Sequence, residues 1–189
     1  MIRLATAADA LAIQSIYAPF VAASPVSFET VVPSAEEMVA RIEATLAHFP
    51  WLVEDDGQVR GYAYASRHRD RLAYRWSVDV TAYVAEGGRR KGTARRLYDA
   101  LFRLLVFQGF VTAYAGITLP NPASVGLHEA MGFRHIGTYT GVGFKDGAWR
   151  DVGWWQLKLM PAPAKPREPI NFADLARDQP ETIAAILFG

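Results

Sequence analysis

The chain has 189 residues, 51% of them apolar and 21% charged, with a net charge of +1 and no cysteine. That is enough apolar material for one packed domain and excludes a disordered chain; the small net charge argues against a nucleic-acid binder, and the missing cysteines exclude disulfides, a Cys-ligated zinc and a thiol nucleophile. No apolar run approaches ~20 residues, so no membrane span is expected, and the opening Met1-Ile2-Arg3-Leu4 lacks a signal-peptide pattern, which makes a cytoplasmic location the expectation.

Residues 2–5 read as a short strand. Thr6 is placed to cap a helix that starts near Ala8, carries Leu11, Ile13, Ile16 and Tyr17, and ends near Pro19 or soon after it. Residues 24–33 form a loop holding Ser27-Phe28-Glu29. Ser34-Ala35-Glu36-Glu37 is a capping box; the helix it opens has Met38, Val39, Ile42 and Leu46 on one side and stops at Pro50. Residues 51–54 and 59–65 make a hairpin around Asp55-Asp56-Gly57. A polar, basic loop covers 66–72, and a long strand covers 74–84.

Gly87 and Gly88 break that strand. A helix follows to about Phe107, with Leu97, Leu101, Leu104 and Leu105 at helical spacing and Gly109 at its end. Next come a strand at 111–119, a short helix opened by Pro120-Asn121-Pro122 and closed at Met131-Gly132, and a strand at 133–142. Lys145-Asp146-Gly147 turns the chain into a last strand at 149–159. Pro161, Pro163, Pro166 and Pro169 mark a linker, and 171–189 reads as a tail with a short helix at most. The expected division is therefore a domain over 1–160 and a linker and tail over 161–189. Strands and helices in this order predict an α/β domain on a mixed sheet.

The junction between the long strand and the glycine-turn helix draws the most attention. Arg89, Arg90, Lys91, Arg95 and Arg96 crowd the first turns of that helix, where each cation opposes the helix dipole by roughly 0.3–1 kcal/mol. An anion held on the free amides of the helix start removes the conflict. Gly92 lets a phosphate come close to the backbone. A nucleoside-triphosphate loop is disfavoured because Lys91 precedes Gly92, whereas that loop needs Gly-Lys-Ser/Thr.

Arg89-Arg90-Lys91-Gly92-Thr93-Ala94 resembles the Gln/Arg-x-x-Gly-x-Gly/Ala signature of the GNAT superfamily of N-acetyltransferases. Asn121-Pro122-Ala123-Ser124-Val125-Gly126-Leu127-His128-Glu129-Ala130-Met131-Gly132-Phe133 resembles that family's Asn-x-x-Ala/Ser-x-x-x-Tyr-x-x-x-Gly-Phe segment, in the family's order. Phe49-Pro50-Trp51-Leu52-Val53, Tyr74-Arg75-Trp76, Ile117-Thr118-Leu119-Pro120-Asn121 and the run from Val142 to Val152 resemble the phosphinothricin N-acetyltransferase branch.

The resemblance covers about residues 1–160. It implies the GNAT fold, a central mixed, mostly antiparallel twisted sheet flanked by helices. It also implies acetyl-CoA as the acetyl donor, a homodimer, and acetylation of the free amine of a small amino-acid-like substrate such as phosphinothricin or methionine sulfoximine or sulfone. On this resemblance Arg89, Arg90, Lys91, Gly92, Thr93, Ala94 and Arg95 hold the donor's pyrophosphate. Ala82, Tyr83 and Val84 lie beside its thioester arm, and Asn121 and Ser124 lie by its pantetheine. Phe28, Arg71, Tyr74 and Tyr83 line the amino-acid site, where a guanidinium suits a carboxylate or phosphinate.

Acetyl transfer to an amine needs a base, because an ammonium group has no lone pair and its pKa is roughly 8–10. Asp79 sits in an otherwise charge-free strand, where burial raises a carboxyl pKa. By resemblance it occupies the position of the family's catalytic glutamate. Aspartate is one methylene shorter, so a bridging water is one route to the amine; pairing with Arg75 or a loop arginine is the structural alternative. His128, where many relatives carry tyrosine, is the candidate for protonating the leaving thiolate or relaying a proton. His48, His68 and His135 lack metal-ligand spacing, and no metal is expected. Glu86-Gly87-Gly88 departs from the family's approach to the phosphate loop and puts a negative charge near it. The competing readings are acetylation of another amine (a polyamine or a protein N-terminus) and a non-catalytic coenzyme A-binding module.

Overall fold

Apolar residues alternate along the strands, so each strand feeds two cores, one on either face of the sheet. The computed structural model describes residues 1–188. Its strands are β1 (Ile2–Leu4), β2 (Trp51–Asp55), β3 (Val59–Arg67), β4 (Ser77–Val84), β5 (Thr112–Leu119), β6 (Arg134–Lys145) and β7 (Ala148–Lys158). They form one sheet in the order β1-β2-β3-β4-β5-β7-β6. Neighbours pair antiparallel except β4 and β5, whose parallel pairing joins Ser77, Val78 and Asp79 to Thr112, Ala113 and Tyr114. The helices are α1 (Ala10–Ala22), α2 (Ala35–Leu46), α3 (Thr93–Gln108), α4 (Pro122–Ala130), α5 (Phe172–Asp178) and α6 (Pro180–Phe188).

On β2, Leu52 enters one core while Trp51 and Val53 enter the other. Helix α3 presses Leu97, Leu101, Leu104 and Leu105 into the core containing Ala63, Ala65, Val78 and Val80. Helices α1 and α2 bring Ile13, Tyr17, Met38 and Ile42 to the opposite core with Trp51, Val53 and Tyr62. Each such fully buried leucine or isoleucine contributes about 2 kcal/mol of hydrophobic stabilisation. Helix α3 ends at Gly109, whose φ of +102° lets its N–H and that of Phe110 fold back onto the last carbonyls.

Helix α1 runs through Pro19 and ends soon after it, at Ala22, because Val21 is buried and its packing offsets the missing N–H. Strand boundaries differ more: β6 runs on to Lys145, past the expected end at 142. Strand β4 starts at Ser77, since Leu72–Tyr74 close a 3-10 turn that lifts Tyr74 out of the ladder.

The segment after the prolines docks on the domain. Residues 161–171 contain neither helix nor strand, and α5 and α6 then set Phe172, Leu175 and Ile183 into the α3 core. The buried Gln108 side chain donates to His48 O (2.9 Å) and Ile170 O (2.8 Å), Trp76 Nε1 donates to Arg167 O (2.7 Å), and Arg75 pairs with Glu168. Phe172→Ala is therefore expected to destabilise the whole domain by about 3 kcal/mol or more. Urea unfolding checks this: one cooperative transition with a lowered midpoint is expected, whereas an unchanged midpoint would mean that the segment adds nothing.

Candidate active site

The parallel pairing of β4 and β5 stops at Asp79 and Tyr114. Beyond it the two strands lean on their outer neighbours: β4 stays paired with β3 to Val84, and β5 with β7 to Leu119. A wedge of about 100 Å³ opens between Thr81, Ala82 and Tyr83 on one side and Ala115, Gly116, Ile117 and Thr118 on the other. It joins a cleft of about 700 Å³ running to the start of α3, both being lined by Ala82, Tyr83, Asn121, Ser124 and His128.

Gly92 caps α3 with φ +80°, a conformation that favours glycine, and a Cβ there would lie 2.9 Å from the Arg96 guanidinium. Arg96 donates to Lys91 O (2.8 Å) and to Glu54 Oε1 (2.7 Å), which ties the loop to the helix. The first-turn amides of Thr93, Ala94 and Arg95 have no intrahelical acceptor, and these residues line the cleft together with Arg89 and Arg90. The residues assigned to the acetyl donor thus converge on this cleft, except Lys91, which is not in its lining. Glu86 lines a neighbouring depression with Gln58 and Val59 and lies outside the cleft's lining.

Asn121 caps α4: its Oδ1 accepts from Ser124 N (3.1 Å), which leaves its amide N–H groups available. His128 is 5% exposed and lines both cavities. Its Nδ1 lies 2.8 Å from Ser124 O; a carbonyl only accepts, so Nδ1 carries the hydrogen and Nε2 accepts from Tyr98 OH at 3.1 Å. Burial holds the imidazole below the usual histidine range, despite the bond from its ring to the backbone.

Asp79 is the last β4 residue paired with β5, one residue before the wedge's lining begins at Val80. Burial raises its carboxyl above the usual aspartate range, and a hydrogen bond from His68 Nδ1 to Oδ1 at 2.6 Å works against that rise. The partner is thus a histidine, where the sequence suggested Arg75 or a loop arginine. Arg75 is held by Glu168.

The amino-acid candidates separate. Tyr83 lines the cleft and packs with Tyr17 and Phe20, both with ring centroids 4.9 Å away. Phe28 lies over Gly143 of β6, where any Cβ would meet its ring at 2.3 Å. Its loop is pinned by Lys145, whose buried Nζ donates to Val21 O and Ser27 O (2.7 Å) and to Glu29 O (2.9 Å). Tyr74 meets the His68 ring edge-on at 6.1 Å. Arg71 lines a different cavity, of about 200 Å³, between the β3–β4 loop and the C-terminal segment. Sequence reading missed Phe20, Val26 and Leu127, apolar cleft residues with no pattern of their own, and also Tyr98.

Residues 2–154 match the family model described as an acetyltransferase (GNAT) domain. A phosphinothricin N-acetyltransferase of Streptomyces viridochromogenes is 41% identical over 172 residues, covering 90% of this chain and 94% of that protein. An L-methionine sulfoximine/L-methionine sulfone acetyltransferase of Salmonella typhimurium is 33% identical, covering 84% of this chain and 94% of that protein. The crystal structure of a GNAT superfamily phosphinothricin acetyltransferase from Sinorhizobium meliloti, in complex with AcCoA, superposes with a TM-score of 0.84 at 35% identity, covering 89% of this chain and 93% of that one.

The buried, neutral His128 makes stability sensitive to acid. Below pH about 6.5 the unfolded chain binds a proton that the folded one refuses, so stability falls as pH drops through that value toward the lower folded pKa, by up to roughly 1.4 kcal/mol per pH unit. Urea midpoints measured on both sides of that pH should show the loss, and His128→Gln should lose less on acidification than the wild-type chain.

Proposed function

This chain belongs to the GNAT family of acetyltransferases, and from that membership we propose how its cleft divides the work of the reaction. The chain is an N-acetyltransferase that moves an acetyl group from acetyl-CoA to the free amine of a small amino-acid-like substrate of the phosphinothricin or methionine sulfoximine/sulfone type. The observation that carries this reading is the continuity of the α3 anion site with the β4–β5 wedge.

Bound acetyl-CoA supplies the activated thioester. The chain's residues fit it: Gly92 permits close approach, Thr93, Ala94 and Arg95 line the cleft with first-turn amides that lack an intrahelical acceptor, and Arg89 and Arg90 add charge to grip a diphosphate. Lys91 is proposed to add only long-range attraction. Ala82, Tyr83 and Val84, which line the cleft, are proposed to orient and polarise a carbonyl through their backbone. Asn121 and Ser124 are proposed to hold the pantetheine arm from the α4 side.

On the opposite face, Asp79 supplies the negative charge that draws a proton from the ammonium group. Phe28, Tyr74 and Tyr83 are proposed to wall the amino-acid site. Arg71, which the sequence suggested for the substrate's acidic group, lines the separate cavity by the C-terminal segment and is given no substrate contact. His128, with the Tyr98 hydroxyl on its Nε2, is assigned to the leaving-group side.

Two further readings concern organisation. Residues 1–160 are proposed as the acetyltransferase domain and 161–189 as its linker and tail, of which the described residues 161–188 form a strap that braces α3 and β1; the family match to 2–154 supports this division. We also propose a cytoplasmic homodimer. Edge strand β6 exposes Ile136, Tyr139, Val142 and Phe144, and Trp149 beside them is 68% exposed, a patch that a second copy would cover. Sedimentation should give twice the chain mass, and Trp149→Glu should shift it toward the monomer.

A coenzyme A release assay over a panel of amino acids, including phosphinothricin and methionine sulfone, tests the activity. Asp79→Ala is expected to lower turnover about 100-fold while acetyl-CoA still binds by calorimetry. Unchanged turnover would remove Asp79 from the chemistry.

A further inference from the structure

We propose that His68 is a catalytic base of this enzyme and that Asp79 orients it, so that the proton leaving the substrate amine arrives on His68 Nε2. The proposal rests on the reading of the cleft given above and goes beyond it by naming the atom.

The first argument is the tautomer. His68 Nδ1 lies 2.6 Å from Asp79 Oδ1. An ionised carboxylate only accepts, so Nδ1 carries the hydrogen and the lone pair sits on Nε2. Among the described residues Nε2 has no hydrogen-bond partner.

The second argument is rigidity. The imidazole stacks on Tyr114 with centroids 4.2 Å apart and planes 12° apart, and it meets Trp154 and Tyr74 edge-on at 6.0 and 6.1 Å. Tyr114 is itself held by Gln156 Nε2 at 2.8 Å. A base fixed on three sides loses little orientational freedom when the amine arrives.

The third argument is place. Asp79 and Tyr114 are the last bridge before β4 and β5 separate, and Thr81 and Gly116, two residues on along the same faces, line the wedge. A ring stacked on Tyr114 and bonded to Asp79 therefore sits beside the last rung of the ladder, next to the wedge's closed end and just outside its lining. The imidazole also extends the reach of a carboxylate one methylene shorter than glutamate by the width of a ring.

In the step, an N–H bond of the substrate ammonium breaks, its electron pair stays on the amine nitrogen, and the proton forms a new bond to Nε2. The imidazolium rests against the Asp79 carboxylate and returns its proton to solvent after turnover. The other titratable groups facing the pair are Arg69, which donates to His68 O and lies over Trp154, and the phenols of Tyr74 and Tyr114. The Asp79 carboxylate attracts the imidazolium that forms, and the Arg69 guanidinium lies on the far side of the ring's own backbone carbonyl.

Nitrogen-15 NMR of the histidine-labelled protein reads the tautomer directly. At neutral pH we expect His68 protonated on Nδ1 and bare on Nε2; a ring protonated on Nε2 alone would overturn the proposal. His68→Phe keeps the aromatic stack on Tyr114 but removes both nitrogens. Its kcat/KM for the amine should fall about 100-fold near neutral pH and recover as pH rises toward the amine's own pKa, with acetyl-CoA binding by calorimetry unchanged. A fully active His68→Phe would also overturn it. If the wild-type chain fails to bind acetyl-CoA, the reading of the cleft itself falls; if binding persists and His68→Phe stays active, only the role of His68 is lost.

Discussion

The site depends on β4 and β5 parting after three residues of parallel pairing. Backbone N–H and C=O groups away from water need partners. Outer neighbours satisfy the far edges of both strands, and the near edges are left facing the wedge. A ligand arm laid there finds a strand edge in place of a strand. The antiparallel pairs on either side keep the wedge open, since closing it would require β5 to leave β7.

Two histidines flank this opening, and hydrogen bonding gives them different chemistry. Each has its Nδ1 hydrogen fixed by an acceptor-only oxygen: the Ser124 carbonyl for His128 and the Asp79 carboxylate for His68. The neutral carbonyl adds little charge, so burial keeps His128 uncharged, and its second nitrogen is taken by Tyr98. The carboxylate supplies a countercharge to His68, whose second nitrogen stays open. A buried base therefore needs both a partner that stabilises its proton and a free lone pair.

The Phe28 loop is set from a distance. Lys145, at the end of β6, gathers the Val21 carbonyl of α1 and the Ser27 and Glu29 carbonyls of the α1–α2 connection around its ammonium group, and Gly143 leaves room for the Phe28 ring. Glu29 is held by both Tyr17 and Arg41, so the same loop is fixed from α1 and α2 as well. The Phe28 loop is in this way coupled to the β6–β7 hairpin, far away in sequence.

Much of the fold was legible in the chain because its signals are local. Alternation marked β4 and β7, an Asp-Gly turn marked the β2–β3 hairpin, and glycines ended α3 and α4, since pattern and turn chemistry act within a few residues. Family motifs carried the assignment of Asp79 and His128. Tertiary structure alone decided that His68 partners Asp79, because that contact follows from the β3–β4 register, in which Ser66 faces Asp79. It alone separated Arg71 from Phe28 and Tyr74, and it alone docked the C-terminal helices. Segments as short as α5 and α6 have little helical stability of their own and gain it by burying Phe172, Leu175 and Ile183 against α3.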